Sequence, residues 1–178
     1  MSGDINVKGL AELGAALDSL TAKLQLNIMR GALRSGGKLI QMQARQIAPM
    51  EPAGTQSDYK STLGWTPGAL RKSIKLSARL SGGNVVAKIK AGSKQAYYAH
   101  MVEYGTAAHW IKPKNGKMLK INGRTVPAVY HPGARKNPFM RIAMDSQARA
   151  AVEQVGNYIR SRLTKEGIEI PDAGDTTE

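Results

Sequence analysis

Apolar residues recur at helical spacing near the start of the chain. Five leucines at alternating steps of three and four form one stripe: Leu10, Leu13, Leu17, Leu20 and Leu24. Glycines at 31, 36 and 37 interrupt the pattern, which then resumes as far as Pro49. Because each interior glycine costs about 1 kcal/mol relative to alanine, the second half needs packing from outside or marks a kink. We therefore predict a long N-terminal helix.

A loop and then a hairpin follow the helix. Residues 50–67 have no period and are rich in Pro, Gly, Ser and Thr, which predicts a long loop. The next apolar pattern has a period of two. From Ile74 to Lys90 apolar and polar residues alternate on both sides of Gly82-Gly83-Asn84, which predicts a hairpin. One of its faces is apolar and the other is basic, so the sheet should have one wet, positive face.

Three further elements complete the chain. Residues 95–104 predict a short helix closed by Gly105. Asn122-Gly123 is typical of a type I′ turn and predicts a basic hairpin over residues 110–130. A last helix should begin at Asn137-Pro138, with Asn137 as N-cap, and end near Gly167. Its apolar stripe comprises Phe139, Ile142, Ala143, Ala148, Val152, Val155, Ile159 and Leu163.

These elements predict an α+β fold, with an antiparallel β-sheet packed by the long N-terminal helix and the C-terminal helix. The chain of 178 residues is long enough for one domain, which we place at residues 1–165, followed by an acidic tail at 166–178. One Phe stands against six Tyr and two Trp, which indicates a thin core. A thin core suggests that neighbouring subunits supply part of the stability.

The formal net charge of +13 is concentrated in the middle of the chain. Residues 93–141 carry nine Lys or Arg against one acid, whereas residues 142–178 carry four against seven. A block of one sign indicates a polyanion or an acidic partner surface. The candidate contacts to DNA or to an acidic partner are Lys112, Lys114, Lys117, Lys120, Arg124, Arg135 and Lys136.

Two interpretations of the basic hairpin stay open. Lysines along a flexible ribbon would neutralise DNA phosphates without reading sequence. Alternatively, the hairpin is an ordinary solvated charged loop. Because no aromatic residues are interleaved with the lysines, recognition of single-stranded nucleic acid is disfavoured.

The sequence argues against an enzyme. With no cysteine, disulfides, thiolate zinc sites and cysteine nucleophiles are excluded. Between Asp58 and Asp145 the only acid is Glu103, and no phosphate-binding glycine loop or nucleophile elbow occurs. A metal site built on Glu103, His100 and His109 is weaker than the alternative, in which Glu103 pairs with a cation or accepts N–H groups of the Gly105-Thr106 turn. We expect no cofactor and no metal.

No apolar run approaches the roughly 18 residues of a membrane helix, and Asp4 precedes any apolar run, unlike a signal peptide. We therefore expect synthesis in the host cytoplasm and no membrane partner. A local aromatic group formed by Tyr97, Tyr98, Tyr104 and Trp110 favours core or subunit packing over a ligand pocket.

The order of several short motifs resembles the neck and tail-completion family of long-tailed phages, to which the lambda tail protein Z looks related. The motifs are Gly68-x-Leu70-Arg71-x-Ser73-Ile74, Tyr97-Tyr98-Ala99, Val102-Glu103-Tyr104-Gly105-Thr106, His131-Pro132-Gly133 and Asn137-Pro138-Phe139-Met140. The resemblance spans about residues 8–165. It implies structural or subunit-interface roles for Leu70, Arg71, Tyr97, Glu103, Tyr104, Gly105, Thr106, His131, Pro132, Gly133, Pro138 and Phe139.

The resemblance also implies a function. We expect a virion structural protein of the phage neck or tail, a tail-completion subunit that forms a ring at the head-tail junction around the DNA path. A hexamer is favoured and a dodecamer is the alternative. The expected partners are the tail terminator, tail tube and head-connector proteins, and duplex DNA in the lumen bound without sequence specificity. The alternative functions are a small basic nucleic-acid-binding regulator and, third, a small hydrolase.

Overall fold

The computed structural model describes residues 10–18, 20–50, 68–113, 118–121 and 123–168. The helices of this part are α1 (Leu10–Asp18), α2 (Ala22–Ile47), α3 (Ala69–Ser73), α4 (Ala99–Tyr104) and α5 (Phe139–Lys165). The strands are β1 (Lys75–Ser81), β2 (Asn84–Lys90), β3 (His109–Ile111), β4 (Leu119–Ile121), β5 (Arg124–Val126) and β6 (Val129–His131). The predicted loop lies outside the described residues from position 51 onward, and the predicted tail does so from position 169 onward.

The two long helices, α2 and α5, form an antiparallel pair that organises the fold. Gly31 lies against the ring of Tyr158, and Gly36 lies against the backbone of Ala151. A Cβ at either glycine would collide with α5, so the glycines allow the helices to approach closely. Helix α2 runs through all its glycines and ends at Ile47, before Pro49. The predicted outside packing of this segment is thereby confirmed.

The first hairpin covers the same helix. Strands β1 and β2 pair antiparallel around Gly82-Gly83, with Leu76 opposite Ile89 and Ala78 opposite Ala87. Leu76 packs over Gly37 of α2, and Ala78 is buried. The predicted alternation of one apolar and one basic face is confirmed near α2, where Leu76, Ala78, Ala87 and Ile89 are buried or half-buried. It is incomplete near the turn, because Leu80 is 48% exposed and Val86 lies on the outer face opposite Arg79.

Two predictions about the elements need correction. The leucine stripe does not lie on one helix, because α1 ends at Asp18 and α2 begins at Ala22. Thr21, just before α2, has extended backbone angles. The α+β class is confirmed, but the β structure of the described residues consists of three separate two-stranded antiparallel pairs, β1-β2, β3-β6 and β4-β5.

The core consists of two clusters and is poor in large side chains. One cluster surrounds Phe139, which is buried together with Leu70 and Ile74 and with many alanines. The other joins Leu13 of α1 to Ile28 of α2 and to the last turns of α5. Alanines bury little area, so burial contributes modestly per residue. Ile142, predicted in the buried stripe of the last helix, is instead about half exposed.

Candidate functional site

The residues of the later motifs meet in one place, which we call the junction: residues 102–106 together with residues 133–141. The amide of Asn137 donates to the carbonyl of Val102 at 2.8 Å. Thr106 and Ala134 form an antiparallel bridge, with N–H···O distances of 3.0 and 3.2 Å and a further bond from the Ala134 amide to the Thr106 hydroxyl. These contacts fix the end of α4 beside the start of α5.

Glu103 is the main polar contact of the junction. Its carboxylate accepts hydrogen bonds from the amides of Met140 at 2.9 Å and Arg141 at 3.0 Å, in the first turn of α5. A helix N-terminus has unpaired N–H groups and a partial positive charge, so a carboxylate there stabilises the helix. The prediction that Glu103 accepts backbone N–H groups was right in kind, but the donors belong to α5 and not to the Gly105-Thr106 turn.

The start of α5 therefore differs from its prediction. Helix α5 begins at Phe139 with Pro138 in the N-cap position, and no side chain of its own caps it. Asn137, the predicted N-cap, contributes its backbone carbonyl to the amide of Phe139 at 2.8 Å. Glu103, 37 residues upstream, takes over the role that the local sequence assigned to Asn137.

Two glycines make the junction sterically possible. Gly105 has φ 76°, and a Cβ there would lie 2.7 Å from the carbonyl oxygen of Ala134. Gly133 has φ 90°, and a Cβ there would collide with the carbonyl oxygen of Thr106. Both positions combine a positive φ with a close backbone approach, which only glycine satisfies without strain. The predicted helix-ending role of Gly105 is confirmed.

From the junction a second hairpin extends, which we call the ribbon, residues 109–131. At its base β3 pairs with β6, so that His109 faces His131 and Trp110 faces Tyr130. Further out β4 pairs with β5 around Gly123, which has φ 76°. No helix makes extended contact with either strand pair in the described part of the chain. In the region predicted as a hairpin, 110–130, the described residues form two antiparallel strand pairs, one more than expected.

The ribbon exposes apolar as well as basic side chains. Trp110 is 61% exposed, Tyr130 54% and Met118 53%, and the two aromatic rings stack edge to face at 5.4 Å. This pair was not predicted, because Tyr130 lies 20 residues from Trp110 in the sequence. Tyr97 pairs instead with Tyr98, and both Tyr97 and Tyr104 are exposed. The four predicted aromatics therefore do not form one cluster, because Tyr104 belongs to neither pair and Trp110 pairs with a residue from outside the group. Its exposed members favour subunit packing over the core.

The predicted cations occupy two parts of this region. Lys112, Lys120 and Arg124 are exposed on the ribbon, while Arg135 and Lys136 are exposed at its base in the junction. Lys114 and Lys117 lie outside the described residues. The structure thus places all five described candidates on the ribbon or at its base.

The earlier motif residues have a separate, structural position. Leu70 is buried in the cluster around Phe139. Arg71 donates from Nε to the carbonyl of Ala48 at 2.8 Å and from Nη2 to that of Gln46 at 3.4 Å. Arg71 therefore satisfies carbonyls at the C-terminal end of α2, where cations are favourable.

The arrangement offers contact surfaces more than catalytic groups. Across the described ranges no three His, Asp or Glu residues lie close enough together to hold a metal ion. His109 and His131 stack with ring centroids 5.2 Å apart; His109 bonds through Nδ1 to the Ala107 carbonyl, and His131 accepts the Gly133 amide. Both imidazoles are thus held in place by the ribbon base. None of the helices described here is both long and apolar enough to cross a membrane.

Comparison with known proteins identifies the family. The model of one family, described as "Bacteriophage HK97-gp10, putative tail-component", matches residues 11–105. No curated protein and no solved structure matches the chain significantly. The match covers more than half of the chain, from α1 to Gly105 in the junction, whereas the ribbon and α5 lie beyond it. The resemblance inferred from the motifs is thereby confirmed, and a structural role in the virion is supported. The chain belongs to the HK97-gp10-like family of bacteriophage tail components.

Proposed function

We propose that this protein is a tail-completion subunit that assembles into a ring at the head-tail junction, around the path of the DNA. The observation that carries the proposal is the ribbon, which leaves Trp110 and Tyr130 exposed and whose described strands make no extended contact with a helix. Two-stranded hairpins are marginally stable on their own in water. A ribbon that keeps its aromatic side chains in solvent therefore calls for a protein surface that covers it.

A ring of identical subunits supplies such a surface. Repeated head-to-tail interfaces close when the rotation between subunits divides a full turn, and six copies match tail symmetry by analogy, with twelve as the alternative. Exposed aromatics are enriched at the centres of such interfaces. Tail terminator, tail tube and head-connector proteins are the neighbours that a position at the end of the tail implies.

The cations of the ribbon fit a second contact, with duplex DNA in the lumen. Lys112, Lys120 and Arg124 would neutralise phosphates without reading bases. With three phosphate contacts, the logarithm of the binding constant should fall with the logarithm of salt concentration with a slope of about −3. A monomer that bound duplex tightly with a defined sequence preference would instead favour the alternative function, a nucleic-acid-binding regulator.

Particles that lack the protein provide the test. We expect filled heads and finished tails left unjoined, or tails with abnormal ends, in electron micrographs. Complementation with the Trp110→Ser, Tyr130→Ser double variant should fail at assembly, because it removes the apolar contact. The Lys120→Glu, Arg124→Glu variant should assemble but lose packaged DNA.

A matched control reverses Lys23 and Lys38, two exposed lysines of α2, to Glu. We expect this control to restore infectivity. Intact, infectious virions without the protein would refute the proposed position. Normal titres from both ribbon variants would show that the ribbon has neither contact.

A further inference from the structure

A second basic surface lies on the outer side of the first hairpin, away from α2. Four cations share it, and we call it the cationic face: Lys75, Arg79, Lys88 and Lys90. Lys75 stands directly opposite Lys90, and Ser77 stands opposite Lys88. Like charges directly opposite each other destabilise a strand pair. The hairpin therefore gains stability from any anion that binds between these side chains.

The cationic face is a shallow trough with a volume of about 470 Å³. Its lining is mostly polar, with Leu80 and Val86 as its apolar residues, and Val86 lies opposite Arg79 on the outer side of the hairpin. Val86 is 36% exposed and Leu80 48%. The ion pairs of the described residues are Arg149–Glu153 within α5 and Arg162–Glu166 at its C-terminal end. Among those residues, no ion pair forms on the cationic face. The trough thus suits an acidic segment that also carries an apolar residue.

The chain contains such a segment at its end. Residues 169–178 include four acids and no base: Glu169, Asp172, Asp175 and Glu178. The acids recur at every third position of this segment. Ile170 supplies the apolar residue. Four acids match the four cations of the face.

We propose that residues 169–178 of one copy bind the cationic face of a neighbouring copy. The proposal rests on the self-association of the proposed function. It is a heterologous contact, since the segment meets a different surface, and such contacts form a ring when the rotation between subunits closes.

The positions of the two surfaces favour a neighbour over the same chain. The end of α5 packs in the cluster of Leu13 and Ile28, at the beginning of α2. The hairpin begins at the other end of α2, where Gln41 and Arg45 donate to the carbonyl of Ile74. At 1.5 Å per residue these points of α2 are about 20 Å apart. Ten extended residues span at most about 33 Å. To reach the cationic face of its own chain, the segment would use most of this length to cover the distance along α2, and few of its acids would meet the cations.

Individual ion pairs on such an exposed surface are weak and are screened by salt. Repetition around a ring makes the contact effective, because each subunit holds the next tail at high local concentration. Assembly should accordingly be salt-sensitive. Duplex DNA is the competing polyanion for the same face, and its binding is one of the outcomes that the experiment distinguishes.

Disulfide cross-linking tests the contact, because the full chain has no cysteine of its own. One sample carries Ala173→Cys in the acidic segment, and a second carries Ser77→Cys on the cationic face. The two are mixed and oxidised, so that a heterodimer on a denaturing gel reports contact between different chains. The matched control replaces Ser77→Cys by Thr125→Cys. Thr125 is an exposed strand position on the ribbon, next to Arg124 and opposite Lys120.

We expect the Ser77 cross-link to exceed the Thr125 cross-link at least fivefold. About 1 M NaCl, where the screening length is about 3 Å, should abolish it. So should replacement of the four acids by their amides, Glu169→Gln, Asp172→Asn, Asp175→Asn and Glu178→Gln, which leaves the hairpin intact.

Several results would overturn the contact. These are equal cross-linking at Ser77 and Thr125, no change in the amide variant, or a disulfide that forms only when both cysteines are in one chain. Loss of the Ser77 cross-link on adding duplex DNA, with the amide variant binding DNA equally well, would assign the face to DNA. Native mass spectrometry separates the two proposals: a ring without the Ser77 cross-link refutes only the contact, and a cross-linked pair without a ring refutes only the ring.

Discussion

Glu103 should be among the most sensitive surface positions of the protein. Its carboxylate accepts two amides of the first turn of α5, and no side chain of α5 itself replaces it. Loss of a helix cap costs about 0.5–2 kcal/mol, and loss of a negative charge at a helix N-terminus costs about 0.3–1 kcal/mol more. We therefore expect Glu103→Ala to lower the free energy of unfolding by about 2 kcal/mol.

Glu103→Gln separates the two contributions. Glutamine keeps one oxygen that can accept a hydrogen bond, but it loses the charge and turns its second acceptor into a donor. We expect a loss of about 1 kcal/mol, half that of the alanine variant. The assay is urea unfolding followed by helical circular dichroism at one fixed protein concentration, since self-association changes apparent stability. In thermal unfolding, a loss of about 2 kcal/mol should lower Tm by about 4–8 °C.

The control is Glu153→Gln, which removes an exposed carboxylate whose partner is Arg149 one turn earlier on α5. Such pairs contribute about 0.3–0.5 kcal/mol, so the variant should remain close to the original stability. If Glu103→Ala were no more destabilising than Glu153→Gln, the junction would not depend on this cap. Our account of how α4 holds α5 would then be wrong.

Two further predictions concern packing at α2. Gly36→Ala should destabilise by about 1–3 kcal/mol, because the added methyl group collides with the backbone of α5. Gly14→Ala, on α1, is the control and should stabilise by about 0.5–1 kcal/mol, since nothing outside its own helix backbone lies near the new Cβ among the described residues. If urea unfolding gave the two variants similar free energies of unfolding, the close approach of α2 and α5 would be contradicted. Arg71→Ala should cost about 1–3 kcal/mol by leaving carbonyls at the end of α2 unpaired, whereas Lys72→Ala should change stability by less than about 0.5 kcal/mol. Equal melting of the two variants would show that the Arg71 bonds contribute nothing.

The parts of the fold that local sequence could predict are those whose signals are local. The first hairpin combines alternation with Gly82-Gly83, so its position followed from neighbouring residues. Asn84, predicted in the turn, is instead the first residue of β2 and pairs with Ser81. The break before α2 was missed because the leucine stripe continues across it and periodicity does not detect a change of helix direction. Thr21, a common N-cap residue, was the available signal, although its side chain forms no cap bond.

The candidate site depended more on distant contacts. Asn137 and Glu103 could both cap α5, and only the three-dimensional position of α4 decides for Glu103. The ribbon could not be derived from one register either. Seven residues, 112–118, connect β3 to β4, whereas only residues 127 and 128 connect β5 to β6. Because the two connections differ in length, the register of β4 and β5 does not continue into β3 and β6. Counting outward from the turn at Gly123 therefore did not predict that Trp110 faces Tyr130.

The junction explains why folding signals and contact surfaces occur together in this chain. Gly105 and Gly133 allow the two backbones at the ribbon base to approach, and Glu103 ties the same segment to the first turn of α5. The described strands of the ribbon make no extended contact with the helices, so the junction residues set its direction from the body. A ring requires every subunit to present its contact surface at the same angle, because angular errors add up around the closed path. A substitution in the junction should therefore impair assembly even where the helices remain folded, which distinguishes a positioning role from a purely stabilising one.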